Sequence, residues 1–253
     1  MLRHKRNTMP TLSVIIPAYN EISYIEDAIK SVYFADEIIV IDSFSNDGTK
    51  EKALSLGAIV LERTFDNFSN QKNHAIAVAK SDWILFIDAD ERVTQKLKTE
   101  IQQAIASEEY NAYKLRFPHF FMNRFLYHSE NKVVRLVKNK GIHFEGAVHE
   151  KLIHSGKAGV LKNFMIHYTY KGLIQYLNKK NSYAWFQANM ARQKKKKANL
   201  FLLFFKPTYR FFHSYIIKRG FLDGVPGLAV ASMDAYGVMS RYAKIILLEK
   251  GLK

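Results

Sequence analysis

The chain has 253 residues, no cysteine, and 38 Lys and Arg against 23 Asp and Glu, a formal net charge of +15. Its length suits one large domain with an appendage, and a hydrophobic share of 48% excludes global disorder. The lack of cysteine excludes disulfides, thiolate zinc sites and a cysteine nucleophile, and is compatible with a reducing compartment. The charge is uneven: residues 1–150 hold 19 bases and 20 acids, residues 151–253 hold 19 bases and 3 acids. A balanced first part therefore precedes a strongly cationic one, of the kind that binds nucleic acid, anionic headgroups or phosphorylated substrates.

In chain order, Met1–Met9 is basic, but the apolar run Leu12–Ile16 after it is short and stops at Pro17, so no signal peptide is expected. Leu12–Ile16 is instead a continuous β-branched run, the pattern of a buried parallel strand. Tyr24–Tyr33 has helical spacing, and Glu37–Ile41 is a second strand. Asp47 or Ser45 can cap a helix from about Thr49 to Leu56, with Gly57 following it. Ala58–Leu61 is a third strand, Ser69 is the expected cap of a helix through Lys80, Trp83–Ile87 is a fourth strand, and Thr94–Ser107 a further helix. Strands alternating with helices imply an α/β parallel sheet. Ligands collect beyond the carboxyl ends of such strands, which selects Pro17–Glu21, Asp42–Asp47 and Asp88–Glu91.

After Tyr110 the alternation is lost. Ala112–Phe117, Lys132–Val137 and Phe164–Tyr170 read as strands in mixed or antiparallel pairing, and the chain from Gly172 reads as helical, aromatic and basic. No run approaches the ~18 apolar residues of a membrane span. The longest apolar cluster, Leu200–Phe205, stops at Lys206 and Pro207. A cytoplasmic or peripheral protein is expected.

Asp88, Asp90 and Glu91 close a buried strand. Three acids in one loop are costly unless a cation or another partner meets them. Mg²⁺ or Mn²⁺ takes hard oxygen ligands, one or two carboxylates plus substrate phosphates, and acts as a Lewis acid on a leaving diphosphate. The rival reading is a set of acids complementing a helix dipole. Asp42 ends a strand and can accept hydrogen bonds from a base or ribose, Asp47 reads as a cap, and Tyr19 offers a stacking face after Pro17.

Four motifs then occur in order: Val14-Ile15-Ile16-Pro17-Ala18-Tyr19-Asn20-Glu21, Val40-Ile41-Asp42-Ser43-Phe44-Ser45-Asn46-Asp47-Gly48-Thr49, Gln71-Lys72-Asn73-His74-Ala75 and Phe86-Ile87-Asp88-Ala89-Asp90-Glu91. Together they closely resemble family 2 of the inverting glycosyltransferases with the GT-A fold, in the subgroup of lipopolysaccharide core glucosyltransferases. Looser likeness lies in Val148-His149-Glu150, Ile166-His167-Tyr168, and Gly220-Phe221-Leu222-Asp223-Gly224 with Pro226-Gly227. The segment His128–Lys132 departs from the subgroup by being shorter than its aromatic insert.

The resemblance implies that Pro17, Tyr19, Glu21 and Asp42 line the nucleotide pocket, with Asp42 toward the uracil. It places Gln71, Lys72 and Asn73 against the donor, Asp88 on the ribose or metal, Asp90 on the metal, and Glu150 as catalytic base. Read without it, Glu150 is equally well a surface acid paired with Lys151. Glu145 is the substitute base, and His149 a neighbour of the site. A metalloprotease is disfavoured because His154 stands at i+5 from His149, not i+4.

The run Lys194, Lys195, Lys196 and Lys197 precedes Phe201, Phe204, Phe205 and Phe211. Its readings are a solvated charge run beside core aromatics, a membrane-surface helix, or a nucleic-acid face. The membrane reading ranks first, and no nucleic-acid module is recognisable. The stretch is apolar on too many sides for a clean helical stripe.

The expectation is thus a GT-A α/β domain over residues 10–170, a mixed sheet flanked by helices, then a helical, basic, membrane-associating region over 171–253. It would move a hexose, glucose by the resemblance, from a UDP-linked donor to a lipid-linked or lipopolysaccharide-core acceptor at the inner face of the cytoplasmic membrane, with Mg²⁺ or Mn²⁺. The rivals are a nucleotidyltransferase of related fold and a non-catalytic basic binding protein.

Overall fold

The computed structural model describes residues 9–107, 109–146, 150–167 and 173–252. They group into two compact units, one from Met1–Phe117 and Asn131–His167, the other from Pro118–Glu130 and Tyr168–Lys253.

The first unit begins with β1 (Leu12–Ala18), α1 (Ile25–Ser31), β2 (Glu37–Asp42), α2 (Thr49–Ser55), β3 (Ile59–Glu62), α3 (Phe68–Val78) and β4 (Trp83–Phe86). It continues through β5 (Glu91–Val93), α4 (Gln95–Ser107), β6 (Ala112–Phe121), β7 (Arg124–Lys138), β8 (His143–Glu145), β9 (Lys151–Ile153) and β10 (Ala158–His167), with β6 and β7 running on into the second unit. Eight strands form one sheet in the order β3-β2-β1-β4-β7-β6-β10-β5. β1 pairs in parallel with β2 and β4, while β4–β7 and β10–β5 are antiparallel. This is the expected mixed α/β sheet flanked by helices.

Strand alternation divides the core between the two faces. Val14, Ile16 and Leu85 pack with Ile25, Ile29, Leu97 and Ile101 of α1 and α4. Ile15, Ile39, Ile84 and Phe86 pack on the other face with Ala75 of α3, Phe144 of β8 and Leu152 of β9. Each Val, Ile, Leu or Phe side chain among them, fully buried, contributes roughly 1.5–3 kcal/mol. β1 and β4 are buried on both faces, which is why they read as unbroken apolar runs.

The structure corrects several local expectations. The cap of α3 is Asn67, whose side chain accepts from Asn70 N–H at 2.9 Å, whereas the Ser69 hydroxyl donates to the Gly146 carbonyl at 2.5 Å. The N-cap of α2 is Gly48, in the left-handed region, and not Asp47 or Ser45, while Asp47 accepts from Thr49 N–H at 3.0 Å. The strands expected at 112–117 and 132–137 are longer, and β5, β8 and β9 were not anticipated. Three-residue strands are too short to show any period. Val148, His149 and Tyr168, and the expected strand end at Tyr170, lie outside the described residues.

The second unit carries α5 (Leu173–Gln193), α6 (Leu200–Phe212) and α7 (Gly224–Glu249). A π-helical turn over His213–Ile217 and a tight turn over Gly220–Asp223 join α6 to α7. The loosely matching glycine motif has a steric cause here: a Cβ on Gly227 would stand 1.9 Å from the Gly220 carbonyl oxygen. Asp234 of α7 fastens the three helices, accepting from Lys180 Nζ at 2.5 Å, Tyr176 Oη at 3.1 Å and Arg210 Nη2 at 2.6 Å. Among the described residues no helix is long and apolar enough to cross a membrane.

Candidate active site

Parallel pairing carries the ends of β1 and β2 to one edge, with Ala18 opposite Asp42. The two loops there are laced together. Asp42 is wholly buried and accepts from Ser45 N–H at 2.8 Å and Ser45 Oγ at 2.6 Å. Asn20 N–H donates to Ser45 Oγ at 2.9 Å, Ile22 N–H to Asp47 at 3.0 Å, and Glu21 N–H to Thr49 Oγ1 at 2.8 Å. Pro17 is half-buried and Tyr19 is 61% exposed beside it.

Sequence reasoning passed over Phe44. It is 55% exposed with a φ of +60°. A bulky residue in the left-handed region is strained, and such strain gathers at ligand sites. Its aromatic face and that of Tyr19 stand on the two laced loops.

α3 buries a polar face: Ser69, Gln71 and Lys72 beside Ala75. Burial of this kind is tolerated only where each group finds a partner, and each does. Gln71 Nε2 donates to Ser43 Oγ at 2.8 Å and to the Arg63 carbonyl at 3.1 Å, holding the loop after β2. Lys72 Nζ donates to Glu150 at 2.9 Å and sits 5.0 Å from the centre of the Phe144 ring. Asn73, expected against the donor, is bound to β8, donating to the Phe144 carbonyl at 2.9 Å and accepting from Phe144 N–H at 2.7 Å.

Glu150 therefore meets Lys72, not Lys151 as the surface reading supposed. With Lys72 and Asp88 it lines a cavity of about 610 Å³. Glu145 is exposed and paired with His143 at 2.9 Å, and does not line that cavity.

The three acids after β4 are met within the chain. Arg135 Nη2 donates to Asp88 Oδ2 at 2.9 Å and to Glu91 Oε1 at 3.0 Å. Register sets Glu91 of β5 opposite His167 of β10, which brings His167 Nε2 to 3.2 Å from Asp90 Oδ2. Burial disfavours a charge on Asp88, but the Arg135 guanidinium outweighs it and holds the carboxyl below the usual carboxylate range. Burial pushes the Glu91 carboxyl up against the pull of Arg135, and the Asp88 charge adds to the rise. Burial opposes protonation of His167, yet Asp90 raises its pKa above the ordinary histidine value. The acids thus need no metal to be tolerated. Among the described residues no group of three or more His, Asp and Glu is close enough to hold a metal ion alone.

In the second unit Lys194, Lys195, Lys196 and Lys197 are all exposed. Phe201, Phe204, Phe205, Tyr209 and Phe212 are exposed at helical spacing along one face of α6. The opposite side carries buried Pro207, so the stripe is cleaner than the sequence suggested. Phe211 lies off it, half-buried and stacked on Tyr215 with ring centres 5.5 Å apart.

Comparison with known proteins points one way. The model for "Glycosyl transferase family 2" matches residues 13–195. An uncharacterized glycosyltransferase of Rickettsia bellii is 32% identical, covering 92% of this chain and 85% of that protein. The lipopolysaccharide core biosynthesis glycosyltransferase LpsC of Rhizobium meliloti is 25% identical over 92% of this chain and 93% of its own length. Among solved structures, glucosyl-3-phosphoglycerate synthase of Mycobacterium tuberculosis, in complex with Mn²⁺, UDP and glucosyl-3-phosphoglycerate, matches at 27% identity and a TM-score of 0.39, over 43% of this chain and 44% of that one.

Proposed function

We propose, from the premise that this chain belongs to glycosyl transferase family 2, that it moves a hexose, taken to be glucose, from a UDP-linked donor to a lipid-linked or lipopolysaccharide-core acceptor with inversion at the anomeric carbon. The observation that carries this reading is the meeting of Glu150, Lys72 and Asp88 in one cavity of the catalytic unit.

Pro17, Tyr19, Glu21 and the loop folded by Asp42 form the nucleotide side, with Gln71 bracing that loop. The Asp90 carboxylate is the oxygen ligand a hard divalent cation takes, and it would hold Mg²⁺ or Mn²⁺ together with diphosphate oxygens, with the His167 imidazole 3.2 Å away as a further nitrogen donor. When bound, Mn²⁺ or Mg²⁺ supplies charge neutralisation to the leaving diphosphate. Glu150, held by Lys72, takes the proton of the acceptor hydroxyl. The hydroxyl oxygen bonds to the anomeric carbon as the bond from that carbon to UDP breaks. A single displacement of this kind inverts the centre.

The exposed lysines 194–197 and the aromatic face of α6 support peripheral binding at the inner face of the cytoplasmic membrane, cations at headgroups and rings in the boundary layer. LpsC, named for lipopolysaccharide core biosynthesis, favours that setting.

Titration calorimetry with UDP, UDP-glucose and ATP, each with Mn²⁺ and with chelator, tests the reaction class. Cation-dependent binding of UDP and UDP-glucose is expected, with slow release of UDP from the latter. Preference for the triphosphate with pyrophosphate release points to a nucleotidyltransferase. No binding of any nucleotide leaves only a binding module.

A further inference from the structure

Glu150 shares its cavity with an excess of positive charge. Five of its lining residues are Lys or Arg and two are acids, Asp88 and Glu150. Both acids are already engaged, Asp88 by Arg135 and Glu150 by Lys72. Two further bases arrive from separate elements, Lys114 on β6 and Lys151 on β9, with Lys132 on β7 and His154 just beyond β9 also lining the cavity. Among the described residues neither Lys114 nor Lys151 forms an ion pair with an acid. Lys151 even stands opposite Glu145 in the β8–β9 pairing, yet Glu145 pairs with His143.

Like charges gathered on one wall repel, and the apolar surfaces of Phe68, Phe144 and Leu152 in the same cavity strengthen their field. An anion entering there relieves the repulsion. Pro17, Tyr19, Asp42 and Gln71 of the nucleotide side do not line this cavity, nor do Asp90 and His167. The wall therefore stands on the base's side of the site.

We propose that this cavity receives an acceptor bearing a phosphate or carboxylate close to the hydroxyl that is glycosylated, with Lys114, Lys151 and His154 as its specificity-determining contacts. The anion would dock on the basic wall and present the neighbouring hydroxyl to Glu150, so that a neutral sugar would lack the contact that orients it. This rests on Glu150 being the base.

The experiment has two arms. In the first, inorganic phosphate and acetate are titrated separately into the wild type and into K114Q/K151Q, changed at two exposed positions and matched to the wild type by melting curve. Binding of one or both anions, weakened at least about tenfold in the double variant, is expected, the share of one charge-assisted hydrogen bond; which of the two binds separates the phosphate from the carboxylate source. In the second, UDP release from UDP-glucose with Mn²⁺ is followed with glucose, glucose 6-phosphate and glucuronate as trial acceptors. Stimulation by an anionic sugar and not by glucose is expected. Equal stimulation by glucose, or anion binding unchanged in the double variant, overturns the proposal. So does a double variant that loses UDP affinity more than anion affinity, because the wall would then serve the donor's diphosphate. A wild type that binds phosphate through these lysines but no UDP retains the anion site and overturns the donor assignment instead.

Discussion

Lys72 and Glu150 stand 78 positions apart in sequence and meet at 2.9 Å. Lys72 is buried while Glu150 keeps about a quarter of its side chain open to the cavity, 6% and 24% exposed respectively. An acid pinned by one oxygen and open at the other is placed to accept a proton. Glu150→Gln keeps the shape and removes the basicity, so transfer should fall ~10²–10⁴-fold, the usual share of general base catalysis, while UDP affinity holds. Glu145→Gln, at an exposed residue outside the cavity, should change transfer little. Steady-state rates and UDP titrations on both variants decide it; the reverse pattern makes Glu145 the base.

The Asp90–His167 pair bears on the metal. Asp90→Ala and His167→Ala should each weaken Mn²⁺-dependent UDP binding by more than the ~10–100-fold usual for outer partners of a metal site. UDP titrations with and without Mn²⁺ read this directly. Full turnover in excess chelator would remove the metal from the reaction.

Asp234 carries a prediction about stability. Burial opposes its ionisation, but Lys180 and then Arg210 outweigh that and depress its pKa. A depressed folded-state pKa contributes stability above the unfolded value of about 3.9 and loses it as pH falls through the folded one. Asp234→Asn should therefore cost about 2 kcal/mol at pH 7, on the scale of hydrogen bonds to charged groups, and the gap to wild type should close below about pH 4. Denaturant melts at both pH values test the sign; a gap that widens in acid would be the wrong one.

The exposed face of α6 carries the last. Each Lys near an anionic leaflet contributes ~1 kcal/mol, a contribution that salt screens, whereas ring burial at roughly 25 cal/mol per Å² survives salt. Changing lysines 194–197 to Gln should lower sedimentation with anionic vesicles and remove most of its salt dependence. Changing Phe201, Phe204 and Phe205 to Ser should lower the salt-resistant remainder. Wild type that binds no vesicle would make this face a contact for protein.

Of the elements in the first hundred residues all but the three-residue β5 were legible, because their signals are local. β1, β2 and β4 are continuous apolar runs, and α4 shows its period over 13 residues. The loops that follow β1, β2 and β4 could be singled out for the same reason, since parallel strands place their carboxyl ends along one edge. The family, too, was readable from four motifs in order.

What the sequence by itself determined was the kind of chain and the acids most worth attention. Tertiary structure alone decided what those acids face. Arg135 lies 47 residues from Asp88, and His167 lies 77 from Asp90. Neither separation leaves a local mark, because the pairs form only when β5 takes its register on β10 and β7 folds back beside β4. The same folding turned Asn73 to the Phe144 backbone and Glu150 to Lys72. Helix and strand periods are set by neighbours in the chain, whereas the charge that answers a buried acid comes from whichever strand packs beside it.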